Sequence, residues 1–305
     1  MKKILIVFIS AALVLFCGSA IAQDFEKRTD APPFGHSNPD SYIEVEHYHG
    51  GAGTIRYTEI LGWEDLETNF LFLRNVILPP KSGIGEHMHH TTEVMYFSLD
   101  SPVLYTLDGH TSVLPERSMV LCNPGSSHGI YNHTDSEIRL ISIAVSTERG
   151  KYDAAPTGND LSNTRIVTPP KFTWALFDRT LLPEGNGAHL GHGPIFARRI
   201  FNDDSFETNW FATTHAVLPP GSTIGYHQHN MREEVYCVIS GSGRLTGNGH
   251  VFDVVAGDAV PCRLHGSHGI YNNSDEDLEL LVFSVAEEKG IVKFEKNWDD
   301  DLQDR

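Results

Sequence analysis

The chain reads as an all-β protein made of two tandem double-stranded β-helix (jelly-roll) barrels. Three observations predict this. Apolar residues come in short runs rich in β-branched and aromatic side chains, such as NFLFLRNVIL and LELLVFSVA. Gly and Pro punctuate those runs (PPKSG, PPGS, NPGSS, GNG), and no strong 3.6-residue period appears in either half. The chain also matches itself at an offset of 140 residues. GAGTIRYTEILGWEDLETNF (51–70) returns as GHGPIFARRIFNDDSFETNW (191–210), and SSHGIYNHT (126–134) as GSHGIYNNS (266–274).

Taken in order, residues 1–22 form a leader: a basic MKK start, an apolar ILIVFISAALVLF run and an Ala-Ile-Ala step before Gln23. That run is too short to span a bilayer, so a cleaved signal peptide is expected, and with it a periplasmic or secreted protein of a Gram-negative bacterium. Lipid attachment at Cys17 is the rival, weakened by Phe16 where a small residue is needed. A polar arm (23–46) precedes the first repeat (47–146). Residues 147–186 look like a linker that wraps one barrel, 187–286 are the second repeat, and 287–305 form an acidic, solvated tail with room for a short helix. Each repeat holds its short strands at matching places: TEVMYFSL, SPVLYTLDG and RSMVLC in the first, EEVYCVIS, GRLTGNG and DAVPCRL in the second. Even spacing of short strands implies a closed barrel or double sheet.

Without the leader, 21 basic and 40 acidic residues leave a net charge of −19. Such a surface argues against nucleic acid or an anionic membrane as partner and favours small molecules and cations. Two linked barrels are expected to pack as a pseudo-dimer within one chain, with further homo-oligomerisation open. Cys122, Cys237 and Cys262 remain after cleavage, an odd number that leaves at least one free thiol; burial as small apolar residues is as good a reading as one disulfide.

The chemistry lies in EHMHHTTE (86–93) and YHQHNMREE (226–234). On a strand, residues i and i+2 share a face, so His87 projects with His89, and His227 with His229. Glu93 and Glu234 begin the next strand, and a third histidine, His128 or His268, comes later in each repeat. The second repeat gains a residue between its His pair and Glu234, so the offset slips to 141 there; Glu233 is the substitute. Three imidazoles and a carboxylate suit a divalent transition metal (Mn, Fe, Cu, Ni or Zn), one per repeat, and leave about two positions open. A lone His-x-His is usually ordinary strand polarity; the full set, repeated in register, makes the metal reading the better one. His49 and His189 also recur before Gly-x-Gly, where turn hydrogen bonding is the expected role and lining a neighbouring site the alternative. The Glu-Thr-Asn triplets at 67–69 and 207–209 are expected to satisfy a strand start, and Tyr131 and Tyr271 to pack beside the third histidine.

The pattern G-x5-H-x-H-x3–4-E-x6-G followed by P-x-G-x2-H-x3-N resembles the cupin superfamily, and its duplication resembles a bicupin. The likeness covers about two thirds of the chain. It implies His87, His89, Glu93 and His128 as ligands in repeat one, His227, His229, Glu234 and His268 in repeat two, and Asn132 and Asn272 closing the second motif. Repeat one departs with Asp100 where the motif has Gly, and repeat two with Leu264-His265-Gly266 in place of Pro-x-Gly. The resemblance also implies a dioxygenase or decarboxylase acting on a small chelating aromatic, keto or hydroxy compound, with Glu93 or Glu234 as both ligand and proton acceptor. Oxalate-decarboxylating bicupins carry an Arg three residues before the first His; Ile84 and Ile224 stand there, so an aromatic or neutral substrate is expected over a small dianion. A Lewis-acid isomerase or lyase of a sugar derivative, and a non-catalytic binding module, are the alternatives.

Overall fold

The computed structural model describes residues 28–291 and 295–305. The leader, with Cys17, lies outside the described residues. Four antiparallel sheets account for the strands described, two of seven and two of five. In barrel one the larger sheet runs Trp174–Leu176, Ser118–Cys122, Thr92–Ser98, Ile138–Ser146, Phe70–Leu78, Thr54–Gly62, Ile43–Glu46. The smaller sheet faces it, with Gly83–Met88 beside Ser127–Tyr131. Barrel two repeats the plan, with Thr223–His229 beside Ser267–Tyr271. No helix among the described residues is long and apolar enough to cross a membrane.

Alternation sorts the side chains. In barrel one Phe72, Val76 and Leu78 face inward with Ile84, Tyr96 and Ile130; in barrel two Ala216 and Leu218 do so with Ile224, Tyr236 and Ile270. A third core joins the barrels, built on Phe70, Phe97 and Phe177 from one side and Phe206, Trp210 and Phe283 from the other. Phe70 stacks on Phe283 at 5.7 Å. Each such side chain contributes about 1.5–3 kcal/mol on full burial, so the barrels are held as one body. The arm crosses over: Gly35–His36 pairs with Ala259 and Asp258 of barrel two. Gly35 sits so close to barrel one that a Cβ would lie 2.4 Å from the Ile60 carbonyl oxygen, which only glycine tolerates.

One expectation changes and a second becomes specific. Among its described residues the tail is neither helical nor merely solvated: Glu295–Asn297 adds a strand to Thr223–His229, and Leu302 is 2% exposed. The segment read as a linker does the same for barrel one, with Ala155–Pro156 paired to Met88 and His87, and Leu161 buried. The repeat therefore continues into both segments, at an offset of 141. Neither signal was visible because the strands are only two and three residues long.

Cys122, Cys237 and Cys262 are all free and buried, and burial pushes each thiol up.

Candidate metal centre

In barrel two the structure gathers His227, His229, Glu234 and His268, with ligating atoms within 4.8 Å of one another. Glu234 Oε2 lies 3.5 Å from His229 Nε2 and 3.4 Å from His268 Nε2. His227 Nδ1 hydrogen-bonds the Gly225 carbonyl at 2.8 Å, which leaves Nε2 aimed at the centre. All three Nε2 atoms are buried without a hydrogen-bond partner, the condition an ion would relieve. Burial lowers His227 well below the usual histidine range and His229 to about 4. Burial pushes Glu234 the other way, but the His229 and His268 contacts outweigh it and hold the carboxyl well below its usual range. His227 and His229, neutral beside a carboxylate, need shed no proton to take a cation at neutral pH.

Barrel one gathers only His87, His89 and His128. His128 Nε2 is 3.2 Å from both His87 Nε2 and His89 Nε2. Three nitrogens around one ion at about 2.0–2.1 Å lie about 2.9–3.4 Å apart, so this trio also fits a metal. Burial lowers His87 to about 3, and His128 well below the usual range.

Glu93 does not join that trio, which corrects the ligand set expected from spacing. Its carboxylate is fully buried and turned to the other barrel, accepting from Glu207 N at 2.8 Å, Thr208 N at 3.3 Å and Thr208 Oγ1 at 2.5 Å. Glu233 mirrors it, accepting from Glu67 N and Thr68 N, each at 2.8 Å. Strand register explains why. Glu93 pairs with Val145 and Glu233 with Val285; Val94 pairs with Ala144 and Glu234 with Ser284. The offset stays at 140, and no residue is inserted. Neighbours on a strand face opposite sides, so Glu93 and Glu233 clasp the partner barrel while Val94 and Glu234 face inward. Barrel one has buried Val94 where barrel two has its carboxylate. The Glu-Thr-Asn triplets are the receiving half of this clasp.

Around each cluster sit residues that motif reading misplaced or missed. His49 and His189 take the alternative reading and line the clusters: they stack on the first histidine of each set, His49 on His87 at 4.0 Å and His189 on His227 at 3.7 Å. Tyr96 stacks on His128 at 5.2 Å and Tyr236 on His268 at 4.5 Å. The recurrence of Tyr96 at Tyr236 was the available signal. Tyr131 packs instead with Leu104 and Leu161. Asn132 and Asn272 bind turn carbonyls and touch neither cluster. Asp153 clamps the turn after His89 through His90 N and the Thr91 and Thr92 hydroxyls, and its carbonyl meets His89 Nδ1. Glu295 lies 3.4 Å from His229 Nδ1.

The cupin domain profile matches residues 214–284. The oxalate-binding protein of Thermotoga maritima is 30% identical over 95 residues, which is 31% of this chain and 78% of that protein. The chain belongs to the cupin family. An uncharacterized protein of Methanocaldococcus jannaschii is 32% identical over 69 residues, 23% of this chain and 55% of its own. Among solved structures, Bacillus subtilis oxalate decarboxylase aligns over 90% of this cupin and 81% of its own chain, with TM-score 0.60 and 14% identity. AerE from Microcystis aeruginosa aligns over 83% and 98%, with TM-score 0.55 and 12% identity. Those likenesses establish the bicupin fold and the jelly-roll barrels.

Proposed function

We propose that this bicupin is an exported, metal-dependent enzyme whose working centre is barrel two, and that it acts as a dioxygenase or decarboxylase on a small chelating substrate. The observation that carries the reading is the buried group His227, His229, Glu234 and His268 with its orphaned nitrogens. A divalent ion held there would supply Lewis acidity to an oxygen donor of the substrate. The chain's own residues do the rest. The three imidazoles and Glu234 fix the ion, and the Gly225 carbonyl orients His227. Glu234 is the residue placed to take up a proton beside a bound substrate. Glu93, committed to Glu207 and Thr208, has no such role. The oxalate-binding relative supports a chelating oxygen ligand. Barrel one holds a weaker three-histidine centre. Export rests on the leader.

Metal content of protein recovered from the periplasm, compared with His87→Ala and His227→Ala, tests this, followed by dioxygen uptake and carbon dioxide release with 2-oxo acids and catechols. A wild type without stoichiometric metal sinks the enzymatic reading. Retained metal with neither gas exchanged, but an altered sugar product, moves it to an isomerase or lyase.

A further inference from the structure

The constant register allows the two interiors to be compared position by position. Around the barrel-one cluster the interior is full. Tyr48, Tyr57, Phe72 and Arg74 join His89 and Tyr152 around a cavity of only about 20 Å³. At the matching positions barrel two carries Ala188, Ala197, Ala212 and Thr214. The rings of Tyr48, Tyr57 and Phe72 and the Arg74 guanidinium thus have small counterparts in barrel two, while Phe211 stands at the Leu71 position and Arg232 at the Thr92 position.

The charges change as well. Arg74 is neutralised by Glu59 at 2.8 Å. Barrel two has Arg199 at the Glu59 position, its cross-strand neighbour is Thr214, and it forms no ion pair among the described residues. Ile195 and Ala197 pack on the barrel-two core, and alternation puts Arg199 on the same face of the strand, where its side chain is exposed to solvent. Arg232 replaces Thr92 and shares a face with Glu234, two residues on. It is 8% exposed; one nitrogen meets Glu295, while Nε and Nη1 have no hydrogen-bond partner. Both guanidinium groups lie near the Phe211 ring, at 5.4 and 5.0 Å. Arg232 is ion-paired with Glu295 but keeps two buried donors open, and Arg199 near the same ring adds a charge with no carboxylate of its own among the described residues, so together they suit an incoming anion.

We infer that barrel two selects substrates bearing a second anionic group away from the chelating end, and that Arg199 and Arg232 bind it. This rests on barrel two being the metal centre. The arginine absent at Ile224 is replaced in function by two from other strands.

The test uses manganese-loaded full-length protein and calorimetric titration with matched pairs differing by one distal carboxylate: 2-oxobutyrate against 2-oxoglutarate, and catechol against 3,4-dihydroxybenzoate. The carboxylated member binds about tenfold tighter or more. Arg199→Gln keeps its manganese and loses that preference. Ala197→Tyr with Ala212→Phe, which restores the barrel-one residues, keeps manganese and binds neither member. Equal affinity within both pairs, no binding of any of the four, or a preference unchanged in Arg199→Gln, overturns the inference while leaving the metal reading intact. Absence of manganese in the wild type overturns both.

Discussion

Replacing Glu93 by Ala separates a clasp from a ligand. The carboxylate satisfies two backbone N–H groups and one hydroxyl of the opposite barrel. Its loss strands both N–H groups at the barrel interface, at about 1–3 kcal/mol each. Part of that is returned. Burial raises the Glu93 carboxyl above its usual range despite the donors around it, so removing the charge also removes a desolvation penalty. The net destabilisation is therefore about 2–4 kcal/mol, which for a chain of this size lowers Tm by very roughly 4–16 °C. Thermal melts and urea titrations read the stability, and elemental analysis reads the metal. The expected result is a less stable protein with wild-type metal content. Metal lost from barrel one with unchanged stability would refute the clasp and restore Glu93 as a ligand.

Val94→Glu places the missing carboxylate in barrel one. The variant melts below wild type without metal and gains more than wild type from added divalent ion, because a buried charge then finds its counterion. Leu302→Ala costs about 2–4 kcal/mol in urea unfolding if the tail truly belongs to barrel two; a change within 0.5 kcal/mol counts against that placement. Glu279 gives a pH signature. Burial pushes its carboxyl up, but hydrogen bonds from His215 and Arg179 and the charge of Arg117 outweigh this and draw it down to about 2 from the usual 4.5. Its stabilisation is whole above about pH 4.5 and is lost as pH falls toward 2. Across that window wild type should lose more stability than Glu279→Gln; parallel acid limbs would show that the cluster contributes nothing.

Much of this was legible in the chain itself. Pro- and Gly-bounded β-branched runs, the 140-residue repeat and the two His-x-His steps with their distant third histidines determined the fold class, the duplication and six of the histidines that meet at the two centres. Those signals are local, because alternation along a strand depends on neighbours two residues apart. The acidic residues needed more. Glu93, Glu233 and Glu234 sit within a few residues of a His pair, and spacing alone cannot say which face of the strand each takes. Only cross-strand register, set by the whole sheet, turns Glu93 and Glu233 to the other barrel and Glu234 to the cluster. The same holds for the tail and linker strands, for His49 and His189 on the first histidines, and for Arg199 beside Arg232. Each is a contact between segments distant in sequence, and the closure of the barrels, which depends on no single motif, is what brings them together.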